Sequence, residues 1–161
     1  MSLKKPGEFK GRDVAIADLQ DCVRIPRKRV ARLLGAILGR KRFSVSVAFV
    51  ENRQMRRVHR VFLGRRGTTD VMAFPLGAGR GEVVVSTEVA RAEAKRRGIS
   101  VEEELLRYVA HGLLHLLGYR DGRPAERRRM WARQERHVRN VIGRRSPAGA
   151  KGRAPHSPSP K

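Results

Sequence analysis

The sequence is short of acidic, aromatic and cysteine residues, and each shortage narrows its function. Fifteen acids stand against 37 lysines and arginines, a formal net charge of +22 with a pI near 11.7. Such an excess constrains partners rather than fold; nucleic acid is the expected one, ahead of an anionic membrane surface. Aromatic residues make up 5% of the chain, so base stacking is expected to add little to phosphate contacts. The lone Cys22 has no disulfide partner within the chain and fits a reducing cytosol, hence a cytoplasmic localisation. No apolar run reaches membrane-spanning length and the N-terminal residues form no signal-peptide core, so no membrane association is expected.

At 161 residues the chain suits one domain with a single core. Residues 1–12 are polar and expected to be disordered. The basic tail, 144–161, rich in Pro, Gly, Ser and Ala, lacks the apolar side chains to fold. That leaves 13–143 as the folded domain, and it remains basic without the tail.

Within it, Asp13 to Leu19 alternates weakly as a first strand. Ile25-Pro26 opens a helix with Val30, Leu33, Leu34, Ile37 and Leu38 at helical spacing, stopped by Gly39. Phe43 to Val50 alternates as the clearest strand. A basic helix follows, with Asn52 as its expected cap and Met55, Val58, His59 and Phe62 on one side. Gly64 to Gly67 reads as an exposed basic loop. Thr69 to Pro75 reads as a short strand stopped by the proline. Leu76 to Gly81 reads as a turn-rich connection whose glycines match no phosphate-binding signature. Glu82 to Ser86 is a further strand, and Thr87 to Arg97 a helix closed by Gly98. Ser100 and Glu103 form a capping box for the next helix. A last helix runs from about Pro124 through Met130, Trp131, Val138 and Val141 to Gly143. This order predicts one mixed sheet with helices packed on it.

The helix opened by Ser100 carries the chemistry. His111 and His115 stand one turn apart on one face, a spacing that lets two imidazoles reach one metal ion. They project roughly opposite the centre of a broad apolar side shared by Leu105, Leu106, Val109, Ala110, Leu113, Leu116 and Leu117. Gly118 offers a left-handed stop, after which the chain can return Asp121 to the same ion. Two imidazoles, one carboxylate and an open fourth position make a plausible catalytic zinc site. His59, His137 and His156 have no such neighbours and read as ordinary polar residues. In zinc proteases a Glu follows the first His as general base; here that position is Gly112, which weakens a protease reading. A mid-helix glycine costs about 1 kcal/mol relative to alanine, so a close approach to the backbone, or a crowded helix contact, is expected there.

The segment His111-Gly112-Leu113-Leu114-His115-Leu116-Leu117-Gly118-Tyr119 resembles the signature of the YbeY family of bacterial metal-dependent endoribonucleases, or rRNA maturation factors. Thr69 to Pro75 resembles that family's TDVLSFP segment, Gly81 to Ser86 its GDIvIS strand, and Met130 to Glu135 its final-helix pattern, in family order across about residues 13 to 142. The resemblance implies an α+β, zincin-like fold: a small mixed four-stranded sheet packed with about five helices, the metal helix in a cleft. It implies a single-strand-specific endoribonuclease in 16S rRNA maturation and ribosome quality control, with one Zn2+ ion, acting on rRNA and the ribosome or its small subunit. Two departures stand out. The family's third ligand is a histidine where this chain has Asp121, and its arginine before the loop glycine is Leu63. Arg60, Arg65, Arg66 and Arg120 are the candidate RNA contacts. No general base is assignable; Asp70 and Glu82 fall in matched segments, where structural hydrogen bonding is the stronger expectation. A metalloprotease-like hydrolase and a non-catalytic ribosome assembly factor with a structural zinc are the alternatives.

Overall fold

A computed structural model describes residues 13–143; the expectations of disorder for 1–12 and 144–161 lie outside the described residues. The elements run β1 (Val14–Asp18), α1 (Arg27–Leu38), β2 (Ser44–Val50), α2 (Asn52–Leu63), β3 (Val71–Gly77), β4 (Arg80–Ser86), α3 (Thr87–Arg97), α4 (Val101–Leu116) and α5 (Pro124–Ile142). They form an α+β fold with one four-stranded sheet in the order β1-β2-β4-β3. β1, β2 and β4 are parallel, and β3 is antiparallel to β4 at the edge.

Strand alternation sends the two faces of the sheet to different partners. Val45, Val47, Phe49, Val83 and Val85 belong to the main core with α1, α4 and α5. Ala48, Val50, Met72 and Val84 face the other way and pack against Met55 of α2. Helix α4 lies at the centre of the larger layer, and every residue from Glu104 to Leu114 is buried. The apolar side expected of α4 is therefore only part of its buried surface; the side bearing His111 is covered by α5.

Two glycines let α4 settle onto the sheet. A Cβ on Gly112 would lie 2.6 Å from Val83 Cγ1, and one on Gly81 would lie 2.6 Å from Leu116 Cδ1. The crowded helix contact accounts for the mid-helix glycine: a side chain there would hold α4 off β3 and β4.

Three local expectations are corrected. Pro75 does not stop β3, which continues to Gly77 with an irregularity between Pro75 and Gly77. An edge strand tolerates proline because one row of its N–H groups has no ladder partner to lose. The connection after it is a tight hairpin, with positive φ at Gly77, Ala78 and Gly79. Finally, Glu51 rather than Asn52 caps α2, its backbone N–H donating to Gln54 Oε1 at 2.8 Å. Asn52 is used otherwise: its Oδ1 accepts from Ser86 Oγ at 2.7 Å and Thr68 Oγ1 at 3.2 Å. It thereby ties the start of α2 to the end of β4.

Candidate metal centre

Helix α4 begins as its sequence indicates, with Ser100 Oγ accepting from the Glu103 N–H at 3.1 Å. It ends at Leu116, and Gly118 takes φ +96°, a backbone region that disfavours other residues. This reversal lets the Tyr119 N–H donate back to Leu114 O at 3.0 Å and turns Asp121 toward the two histidines.

The imidazoles of His111 and His115 meet edge to face, with their Nε2 atoms 3.0 Å apart. Asp121 Oδ2 lies 3.3 Å from His115 Nε2 and 3.8 Å from His111 Nε2. The other nitrogen of each ring is engaged. His111 Nδ1 sits 3.1 Å from Gln134 Oε1, and His115 Nδ1 sits 3.0 Å from Tyr119 O. With the ring proton on Nδ1, where each ring meets an oxygen acceptor, both Nε2 lone pairs are free to ligate. In that form two lone pairs and a carboxylate oxygen converge on one point, an arrangement that a bound cation stabilises. The donor set of two nitrogens and one oxygen is one that zinc accepts. His111, His115 and Asp121 form the one group of this kind among the described residues, their ligand atoms all within 4.8 Å of one another.

Burial first, and then the neighbouring His115, hold the His111 pKa below its ordinary value, against Gln134, Asp121 and Asp70. A neutral imidazole is the form that binds metal. Tight supports surround the three side chains. Gln134, 2% exposed, comes from α5. Next to it Glu135 grips Arg107 of α4 through two bonds, 2.7 Å from Nε and 3.1 Å from Nη2. Burial disfavours the Arg107 charge, but Glu135 and Glu103 outweigh it and hold its pKa above the usual arginine value. This buried pair lies one helical turn before His111, so α5 holds α4 at two successive levels. Arg127 Nη1 donates to the carbonyls of Asp121 and Gly122, both at 3.1 Å, which steadies the returning loop. The Arg133 guanidinium lies 5.4 Å from the centre of the Tyr119 ring.

The site opens on a pocket of about 480 Å³ lined by His115, Arg120, Asp121, Gly122, Arg123 and Glu126. Of the four arginines expected to meet RNA, Arg120 is at this mouth. Arg60, Arg65 and Arg66 are exposed but belong to α2 and its following loop, apart from the pocket lining. Asp70 Oδ1 accepts locally from the Val71 N–H at 2.8 Å and Thr69 Oγ1 at 3.0 Å, the structural role expected of it. His59 is buried and faces Gly67 O at 3.2 Å. Gln134 and Glu135 fall in the final-helix segment, to which the sequence assigns no role, and Arg127 is not singled out. Their signal there is weak: Gln134 shares helical spacing with Met130, Val138 and Val141, a polar residue in an apolar stripe.

The chain matches known proteins along most of its described length. The family model described as Endoribonuclease YbeY matches residues 13–142. A protein named Endoribonuclease YbeY from Anaeromyxobacter sp. is 43% identical over 123 residues, 73% of this chain and 63% of that relative. The chain thus spans less than two thirds of that relative's length. One from Chlorobium phaeovibrioides is 39% identical, covering 72% of this chain and 80% of its own. Another from Micrococcus luteus is 34% identical, covering 78% and 90%. The solution structure of TM1509 from Thermotoga maritima superposes with a TM-score of 0.60 at 25% identity, over 80% of this chain and 88% of that one.

Proposed function

The chain belongs to the Endoribonuclease YbeY family, and we propose that it is a zinc-dependent, single-strand-specific endoribonuclease. Its proposed work is 16S rRNA maturation and ribosome quality control, in the cytoplasm, with residues 13–143 as the catalytic domain. The observation that supports this reading is the convergence of His111 Nε2, His115 Nε2 and Asp121 Oδ2 beneath a pocket flanked by Arg120 and Arg123. We assign the three as the ligands of one zinc ion. Lewis acidity toward a phosphoryl oxygen, with acidification of water, is the chemistry zinc supplies when bound.

The chain's own residues do the rest. Gln134 Oε1 and Tyr119 O keep the ring protons on Nδ1, so both Nε2 atoms stay available and aimed. Arg120 and Arg123, at the pocket mouth, bind the scissile phosphate and neutralise the charge that builds on it. Arg127 fixes the Asp121 loop, so the carboxylate needs no reordering when substrate arrives. A protease mechanism is disfavoured from an unexpected direction. Position 112 faces Val83 and Val71 of the sheet, so an acid there would be driven into the core and away from substrate.

Cleavage of single-stranded RNA, duplex RNA and casein, each with and without a chelator, tests the reading. It predicts chelator-sensitive cleavage of single-stranded RNA alone. RNA binding without cleavage would leave a ribosome assembly factor with a structural zinc, and cleavage of casein alone would restore the protease.

A further inference from the structure

On the sheet face opposite α4, the stretch from Asn52 to Thr69 contains six arginines and no acid. Arg53, Arg56, Arg57, Arg60, Arg65 and Arg66 are all exposed, and none of their guanidiniums has a hydrogen-bond or ion-pair partner among the described residues. At the end of α2 this charge surrounds an apolar patch. Val61 is 69% exposed, Phe62 66%, Leu63 47%, and Leu76 of the neighbouring edge strand 52%. The Phe62 ring rests on Phe74, with centroids 5.2 Å apart and planes tilted by 53°. Phe74 is itself packed against the cluster of Met55, Met72 and Val84. Phe62 is therefore an exposed ring on a firm seat.

An occupant of this patch must offer apolar or π surface and dense negative charge together. A second copy of the chain would set six unpaired guanidiniums against six more. Single-stranded nucleic acid meets both demands, because every nucleotide carries a flat base and a phosphate. The patch also reaches the edge strand β3, through Phe74 and Leu76. The bond from His59 Nδ1 to Gly67 O, and that from Thr68 to Asn52, fold the loop back along α2. Arg65 and Arg66 thus stand just before the start of β3, the edge strand of the sheet.

We infer that Phe62, seated on Phe74 and ringed by arginines, is a stacking platform for a base of single-stranded RNA. The strand runs from it past Arg65 and Arg66, around the β3 edge, to the metal helix. Stacking on this one platform outweighs the scarcity of aromatics in the chain as a whole. The platform rests on the endoribonuclease reading only for the identity of its strand.

The test measures binding of the full chain, in chelator, to two fluorescent strands of equal length: an RNA, and the same backbone with its bases removed. Phe62→Ala should bind the RNA more weakly, by about fivefold or more, and the abasic strand unchanged. Phe62→Trp should restore the RNA affinity. Cleavage by Phe62→Ala should show a raised KM at an unchanged kcat. Loss on both strands alike, or on neither, overturns the platform, as does Phe62-dependent binding to phosphatidylglycerol vesicles without base-dependent RNA binding. If the parent chain discriminates the two strands through Phe62 but cleaves no RNA, the platform stands and the endoribonuclease reading falls. If the chain cleaves RNA but Phe62→Ala leaves affinity unchanged, the endoribonuclease reading stands and the platform falls.

Discussion

His111 and Gln134 sit 3.1 Å apart, Nδ1 to Oε1, in the buried seam between α4 and α5. This bond decides which nitrogen of His111 faces the pocket. Gln134→Leu keeps the size of the side chain but removes the acceptor, leaving the ring free to take the wrong tautomer. Zinc affinity, measured by competition with a chromophoric chelator, should fall about 10- to 100-fold. Gln134→Glu, which keeps an oxygen at this position, should lose much less. Equal losses in the two variants would contradict a positioning role.

Gly112→Ala should destabilise the chain although alanine is the better helix former. The gain in propensity is about 1 kcal/mol, while overpacking against Val83 costs about 1–3 kcal/mol. Each net kcal/mol lowers the thermal midpoint by about 2–4 °C in a chain of this size. Adding Val83→Ala should recover part of the loss, because it vacates the atoms that the new methyl meets. A raised midpoint in Gly112→Ala would show that α4 does not need its close seat on the sheet.

The pair of Arg107 and Glu135 predicts strong non-additivity. Arg107→Leu leaves the buried Glu135 unmatched, at about 3–5 kcal/mol in urea unfolding, whereas Glu135→Leu should cost less, because Arg107 keeps Glu103 at 2.6 Å. The double variant should cost well under the sum of the two. Additive losses would mean that the pair is not coupled in the folded chain.

RNA binding should be steeply salt-dependent. Log affinity should fall linearly with log salt, at about −0.7 per neutralised phosphate on a single strand. Removing Arg60, Arg65 and Arg66 together should flatten that slope. Affinity that is indifferent to salt between about 50 and 200 mM would rule out phosphate contacts as its main source.

Local signals in the chain reach the centre of the site but not its support. The i, i+4 spacing of His111 and His115, the Gly118 stop and the reach of Asp121 all lie within eleven consecutive residues, so periodicity and turn chemistry suffice to read them. Ser100 and Glu103 mark the start of α4 for the same reason. Gln134 and Glu135 meet α4 across 23 and 28 residues of sequence, and no local pattern specifies that pairing. Pro75 looks like a strand end in sequence because tolerance of proline depends on β3 being an edge strand, a property of the sheet order. Asn52 has the residue type of a cap, yet Glu51 holds that place, freeing Asn52 to receive Ser86 and Thr68. The patch at Phe62 is hidden in the sequence because helical spacing puts that ring on the apolar side of α2, where the structure leaves it largely in water. Its partner Phe74 comes from another element.

Asp121 tests the central claim most directly. Metal content by atomic emission and cleavage of single-stranded RNA should be measured for Asp121→Ala, Asp121→His, His111→Ala, His115→Ala and Arg120→Ala. The three-ligand account predicts that Asp121→Ala loses zinc and activity about as fully as either histidine variant. Asp121→His should retain zinc, since imidazole is an equally competent ligand. Arg120→Ala should keep its zinc too, because guanidinium cannot ligate a cation, while binding RNA less well. Full zinc occupancy with normal cleavage in Asp121→Ala would contradict the account.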